Sequence, residues 1–125
     1  MRTSDAPTPR GTYSQGIAVG DVVYTAGLGP LDPRTKEIVG DEAGEQTRQV
    51  MRNLAAVLAA HDCSLDDVVK VTAHLQHTER DWQAFDTAYA ESFTPPYPVR
   101  TTAGSNLGGI LVEIDVVAVR GAAGR

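Results

Sequence analysis

The chain has 125 residues, 42% hydrophobic and 22% charged, with 11 basic residues against 16 acidic and a formal net charge of −5. That length makes a single domain, 1–125, whose core needs no covalent staple, and the acidic balance with scattered basic residues argues against a nucleic-acid partner. One cysteine, Cys63, rules out an internal disulfide and fits a reducing compartment, and no apolar stretch approaches the roughly 20 residues of a membrane span. The N-terminal run Met-Arg-Thr-Ser-Asp-Ala-Pro lacks the apolar segment of a secretion signal, so a cytoplasmic location is expected.

Residues 1–10 are polar and proline-containing and read as a flexible arm. Two short strands are expected over 13–19 and 21–27, around Gly20-Asp21, the second carrying the strand formers Val22, Val23, Tyr24 and Thr25. Gly27, Gly29, Pro30, Asp32 and Pro33 mark a loop, with a small third strand near Ile38 and Val39. Residues 43–62 read as an amphipathic helix. Val50, Leu54, Val57, Leu58 and His61 form its apolar stripe, and Arg48, Arg52 and Asn53 fall on the wet side.

Ser64 followed by Asp67 has the spacing of a helix cap. Residues 68–76 alternate as a strand, Val69, Val71, Ala73 and Leu75 on one face and Lys70, Thr72, His74 and Gln76 on the other. A second helix over 79–92 places Trp82, Phe85, Ala88, Tyr89 and Phe93 at helical spacing, a stripe read as core. Thr94-Pro95-Pro96-Tyr97-Pro98 ends it. Strands follow over 99–104 and 110–119, turned by Gly108-Gly109. In the last strand Glu113 and Asp115 share one face. That strand is apolar on both faces, so both need cover. The helices can cover one, and a subunit interface is the natural cover for the other. The element order gives an α+β sandwich, one antiparallel or mixed sheet with two helices on one face.

The residues that point to chemistry lie at the C-terminal end. Arg100 sits in Pro-Tyr-Pro-Val-Arg-Thr-Thr, 96–102. A guanidinium presented from a stiff segment suits a small carboxylate, because its planar fork matches two oxygens. A carboxylate on a neighbouring strand could then handle a proton or a water. The same groups read equally well as a structural ion pair between Arg100 and Asp115. His74 and His77, three apart on an extended chain, face opposite ways and have no companion ligand cluster, so no metal site is expected. Nothing near Cys63 suggests an activated thiolate.

Several segments carry a family resemblance: Gly11-Thr12-Tyr13-Ser14-Gln15-Gly16, Thr25 through Pro33, Gln46 through Leu58 with Asn53-Leu54, Asp67 through Thr72, Pro98-Val99-Arg100, Val112-Glu113-Ile114-Asp115 and Ala118-Val119-Arg120. In this order and spacing, over about residues 6–120, the chain resembles the Rid or YjgF family of reactive-imine deaminases, and the RidA branch in particular. The resemblance implies a chorismate-mutase-like (ferredoxin-like) fold and a homotrimer with a central barrel and sites between subunits. It implies hydrolysis of 2-aminoacrylate and 2-iminopropanoate to pyruvate and ammonia, with no metal or organic cofactor.

Position by position, the resemblance makes Arg100 the clamp for the substrate carboxylate and Tyr13 the aromatic that closes the pocket across the interface. Thr102 becomes the small polar residue whose backbone meets the imine nitrogen. Asp115 takes the place of the glutamate that holds the attacking water, and Glu113 that of its neighbour. Asp115 is one methylene shorter than a glutamate, Ala26 stands where a serine is usual and Leu28 where a glutamine is usual. The pocket is therefore expected to be more apolar and wider on that side. Three functions are consistent with this set: imine or enamine hydrolysis, binding of small carboxylates without turnover as a regulator, and a divergent hydrolase acting on another substrate in a specialised pathway.

Overall fold

Five strands form one mixed sheet in the computed structural model, which describes residues 2–124. The elements in chain order are β1 (Gly16–Val19), β2 (Val22–Thr25), α1 (Ala43–Ala60), β3 (Val68–Leu75), α2 (Thr78–Ala90), β4 (Val99–Gly104) and β5 (Val112–Val119). The sheet order is β1-β2-β5-β3-β4. Only β3 and β4 are parallel, joined by the α2 crossover, and the other neighbours are antiparallel. The segment near Ile38 forms a single bridge to Leu31 rather than a strand.

Alternation along the central strands decides which side chains meet the helices. Val71, Ala73 and Leu75 of β3 and Val112, Ile114, Val116 and Ala118 of β5 are fully buried and point to the helix side. Val50, Leu54, Val57 and Leu58 of α1 and Phe85, Ala88 and Tyr89 of α2 complete that core. Two residues depart from the expected stripes. Trp82 is largely exposed, whereas Asn53 is buried. Asn53 Nδ2 donates to the carbonyls of Gly29 and Leu31 at 3.0 and 2.9 Å, and its Oδ1 accepts from Gln49 Nε2. This polar side chain is therefore inside because it holds the β2–α1 loop against the helix, a job that needs two donors and an acceptor.

The helix ends have local causes. After α1, Asp62 takes φ +60°, a left-handed value that aspartate tolerates. Cys63 N–H then donates to Leu58 O and Asp62 N–H to Ala59 O, which satisfies the last carbonyls. The following turn is closed by Ser64 N–H on the Asp67 carboxylate at 3.0 Å, as its spacing suggested. The arm expected to be flexible is tied down by buried Gln15. Its Nε2 donates to the carbonyls of Thr3, Ala6 and Pro7, and its Oε1 accepts from Thr3 N–H.

The opposite face of the sheet has no helix over it among the described residues. It carries Ile17, Val19, Tyr24 and Val99, all exposed, beside Lys70, Thr72, His74, Glu113 and Asp115. No helix among the described residues is long and apolar enough to cross a membrane.

Candidate active site

Arg100 does not pair with Asp115. Register pairs Arg100 with Val71 and Thr102 with Ala73, so both β4 side chains lie on the helix face with those core residues. Glu113 pairs with His74 and Asp115 with Thr72, which places both carboxylates on the open face. The anchor and the acids therefore sit on opposite faces of one sheet, with β3 between their two strands. Arg100 finds its partner on α2. Its Nη1 donates to Asp86 Oδ1 at 2.7 Å. Its guanidinium carbon also lies 4.6 Å from the Tyr89 ring centre, 5.2 Å from Phe85 and 6.0 Å from Trp82, a cation–π arrangement.

This group is held but not sealed in. A cleft of about 390 Å³ opens beside it, lined by Asp86, Tyr89, Ala90, Tyr97, Pro98 and Arg100. The Tyr89 hydroxyl of this lining is buried and finds no hydrogen-bond acceptor among the described residues. Burial pushes its phenol up to about 12, against the pull of the Arg100 charge.

A second cleft, about 480 Å³, lies on the other side of the molecule and includes Tyr13, Gln15, Gly27, Leu28, Leu107, Ile110 and Glu113. Arg10, Lys36 and Glu37 line the same cleft, which therefore carries charges of both signs. Leu28 is fixed by reciprocal backbone bonds with Ile114, 2.9 and 3.2 Å, one residue from Glu113. Tyr13 Oη accepts from Arg10 N–H at 3.2 Å, which sets the ring against the arm. Gly27 lets the acid lie close to the backbone. A Cβ there would stand 3.1 Å from Glu113 Cδ and 3.3 Å from its Cγ.

Asp115 does not line this cleft. It is half-buried on the open face, and burial raises its carboxyl above the ordinary value, with His74 and Lys70 pulling the other way. Ala26 packs against the hydrophobic core instead of facing the cleft, so of the two substitutions expected to reshape the pocket only Leu28 lines it. Of the sequence candidates, the structure groups Tyr13, Leu28 and Glu113 in one cleft and Arg100 with neighbouring Thr102 near the other. Sequence reasoning missed Asp86 and the polar side of Tyr89. Their only signal was spacing, since residues 82, 85, 86 and 89 form one helical face.

Comparison with known proteins settles the family. The family model described as endoribonuclease L-PSP matches residues 3–120. The chain belongs to the Rid/YjgF family. It is 43% identical over 118 residues to the RutC family protein SSO3206 of Saccharolobus solfataricus, covering 93% of each chain. It is 35% identical over 104 residues to the 2-iminobutanoate/2-iminopropanoate deaminase of Dermatophagoides farinae, covering 83% of this chain and 80% of that one. The crystal structure of E. coli TdcF with bound serine superposes with a TM-score of 0.89 at 30% identity, over 95% of this chain and 96% of that one. As a Rid-family chain it has the expected α+β architecture, one sheet with two helices on one face, and it departs from expectation in where its charged side chains point.

Proposed function

We propose that this Rid-family chain hydrolyses small 2-imino and enamine carboxylic acids to the ketoacid and ammonia, with no cofactor, in a homotrimer whose sites lie between subunits in the cytoplasm. The observation that carries this reading is the division of labour across the sheet. Arg100 lines one cleft and Glu113 with Tyr13 lines another on the opposite face. One chain cannot bring the anchor to the acid, but the Arg100 edge of one subunit set against the open face of the next can. The uncovered apolar residues Ile17, Val19 and Tyr24 supply the surface that such packing would bury. The deaminase name of the Dermatophagoides relative and the serine in the TdcF structure support a ligand of amino-acid size bearing a carboxylate.

The chemistry asks little of the protein, because a C=N carbon is already electrophilic. Arg100 holds the substrate carboxylate and fixes C2. Glu113 of the neighbouring subunit accepts a proton from a water as its oxygen bonds to C2, and gives a proton to the nitrogen. Glu113 then takes the hydroxyl proton of the adduct and passes it to the amine nitrogen, the C–N bond breaks, and ammonia leaves as the carbonyl forms. An enamine substrate first takes a proton at C3 to become the imine. Glu113 takes here the role that the resemblance gave to Asp115, because Glu113 shares a cleft with Tyr13 and Leu28. Thr102, two residues from Arg100 on the same strand face, is placed to contribute a backbone group near the anchor.

The test is to generate 2-aminoacrylate in situ by enzymatic dehydration of serine and follow pyruvate release. A protein-dependent acceleration is expected. A rate equal to that in buffer, for this and for larger imino acids, would contradict hydrolysis and leave carboxylate binding alone.

A further inference from the structure

The Arg100 cleft contains a group that the hydrolytic reading does not use. Asp86 places a carboxylate 2.7 Å from the same guanidinium that would receive the substrate's carboxylate. Two negative groups on one cation compete, and each weakens the hold of the other. The pair is also unevenly exposed, Arg100 at 20% and Asp86 at 45% of their side-chain surface. Asp86 can therefore swing toward water, whereas Arg100 is confined by the rings of Phe85 and Tyr89. Asp86 engages one terminal nitrogen, Nη1, and not the bidentate edge. The nearby Tyr89 hydroxyl is buried and finds no acceptor for its hydrogen among the described residues, which a native interior rarely tolerates unless something else supplies one.

We propose that Asp86 is a specificity-determining residue of this cleft: an internal rival carboxylate on Arg100, which limits the site to ligands carrying one acid group, with Tyr89 Oη as the second donor to the incoming carboxylate. The inference rests on the reading of Arg100 as the ligand anchor and deepens it. With Asp86 in place, the cleft offers a ligand almost no net positive charge, so recognition falls to geometry and to hydrogen bonds from Arg100 and Tyr89. A dianion would meet Asp86 at close range and be rejected. A monoanion loses less, because its single carboxylate can share the fork while the rest of the molecule is neutral. The protonated Tyr89 phenol keeps its hydrogen for donation throughout the neutral range.

Isothermal titration with pyruvate and with malonate separates the possibilities. Asp86→Asn keeps an oxygen for Nη1 and removes only the charge. It is expected to tighten pyruvate binding by about five- to fiftyfold at low salt and to tighten malonate by a larger factor, with the gain shrinking as salt is added. Tyr89→Phe is expected to weaken pyruvate by about three- to tenfold. Asp86→Ser, lacking both charge and bulk, guards against a misfolded asparagine variant and is expected to shift the malonate-to-pyruvate ratio the same way. A purely structural Asp86 would weaken both ligands alike on substitution and leave that ratio unchanged, and this outcome overturns the proposal. If Arg100→Ala abolishes binding while Asp86→Asn changes nothing, the rival role fails and the anchor stands. If neither wild type nor Asp86→Asn binds pyruvate, the proposal falls together with the reading beneath it.

Discussion

The two clefts of this molecule are built on opposite principles. Around Glu113 the walls are loop residues, aliphatic Leu28, Leu107 and Ile110 beside polar Gln15, Lys36 and Glu37, and Gly27 lies close against the acid. Around Arg100 the walls are a helix face of aromatic rings, and the charge is met by the half-exposed carboxylate of Asp86. The first leaves an acid among side chains of both charges with room beside it for a small molecule. The second holds a cation tightly, leaving room only along one edge. A chain that kept both groups on one face would form an ion pair and neutralise them. Placing them on opposite faces of the sheet keeps each from the other within one chain.

The contrast between Glu113 and Asp115 gives the largest expected effect. Glu113→Gln is expected to lower kcat for pyruvate release by about a hundredfold or more, the usual scale for a lost general base, with KM little changed. Asp115→Asn should leave kcat within about threefold, well inside the effect of a displaced catalytic group. The reverse order would return the role to Asp115. A smaller effect is expected at the wall of the same cleft. Gly27→Ala puts a methyl 3.1 Å from Glu113 Cδ and forces the carboxylate to shift by a few tenths of an ångström. A loss of about three- to tenfold in kcat/KM follows from such a displacement, and the same substitution should leave pyruvate binding at Arg100 unaltered.

The smallest effect is on stability. Asp115 has a folded-state pKa raised above the ordinary 3.8, chiefly by burial. A raised value means that the folded state binds its proton more tightly than the unfolded state does. That contribution is complete below about pH 3.8 and is lost as pH rises through the folded-state value, so at neutral pH the charged group weighs against folding. Asp115→Asn is therefore expected to raise the melting temperature modestly at pH 7 and to show no gain near pH 3. An unchanged melting temperature at pH 7 would contradict a raised folded-state value for Asp115.

Much of the fold was legible because periodicity reports burial directly. The stripe Val50, Leu54, Val57, Leu58 gave the correct inward face of α1, whereas the alternation of β5 separated its two faces without choosing the inward one. Asn53 illustrates where that logic stops. Its spacing from Val50 and Val57 places it on the apolar stripe, yet an amide reads as wet until the loop carbonyls that it satisfies are visible. The site was less legible for a similar reason. In 99–104 the apolar residue Val99 suggests an inward side chain, but Val99 is 66% exposed and Arg100 turns inward. The aromatic face of α2 and Asp86 make that burial tolerable, and a strand pattern holds no information about the helix that will cover it. Likewise, alternation puts Glu113 and Asp115 on one face but does not choose between them. Proximity to Gly27 and Tyr13, contacts distant in sequence, makes the choice.

Complementation between inactive variants tests the central claim most directly. Arg100→Ala and Glu113→Gln are each expected to be inactive when pure. Refolded together at equal amounts, they form mixed assemblies in which an intact Arg100 meets an intact Glu113 at one interface in four, so about a quarter of wild-type pyruvate release is expected to return. Mixed assemblies that form, by mass, and yet stay inactive would contradict a site shared between subunits.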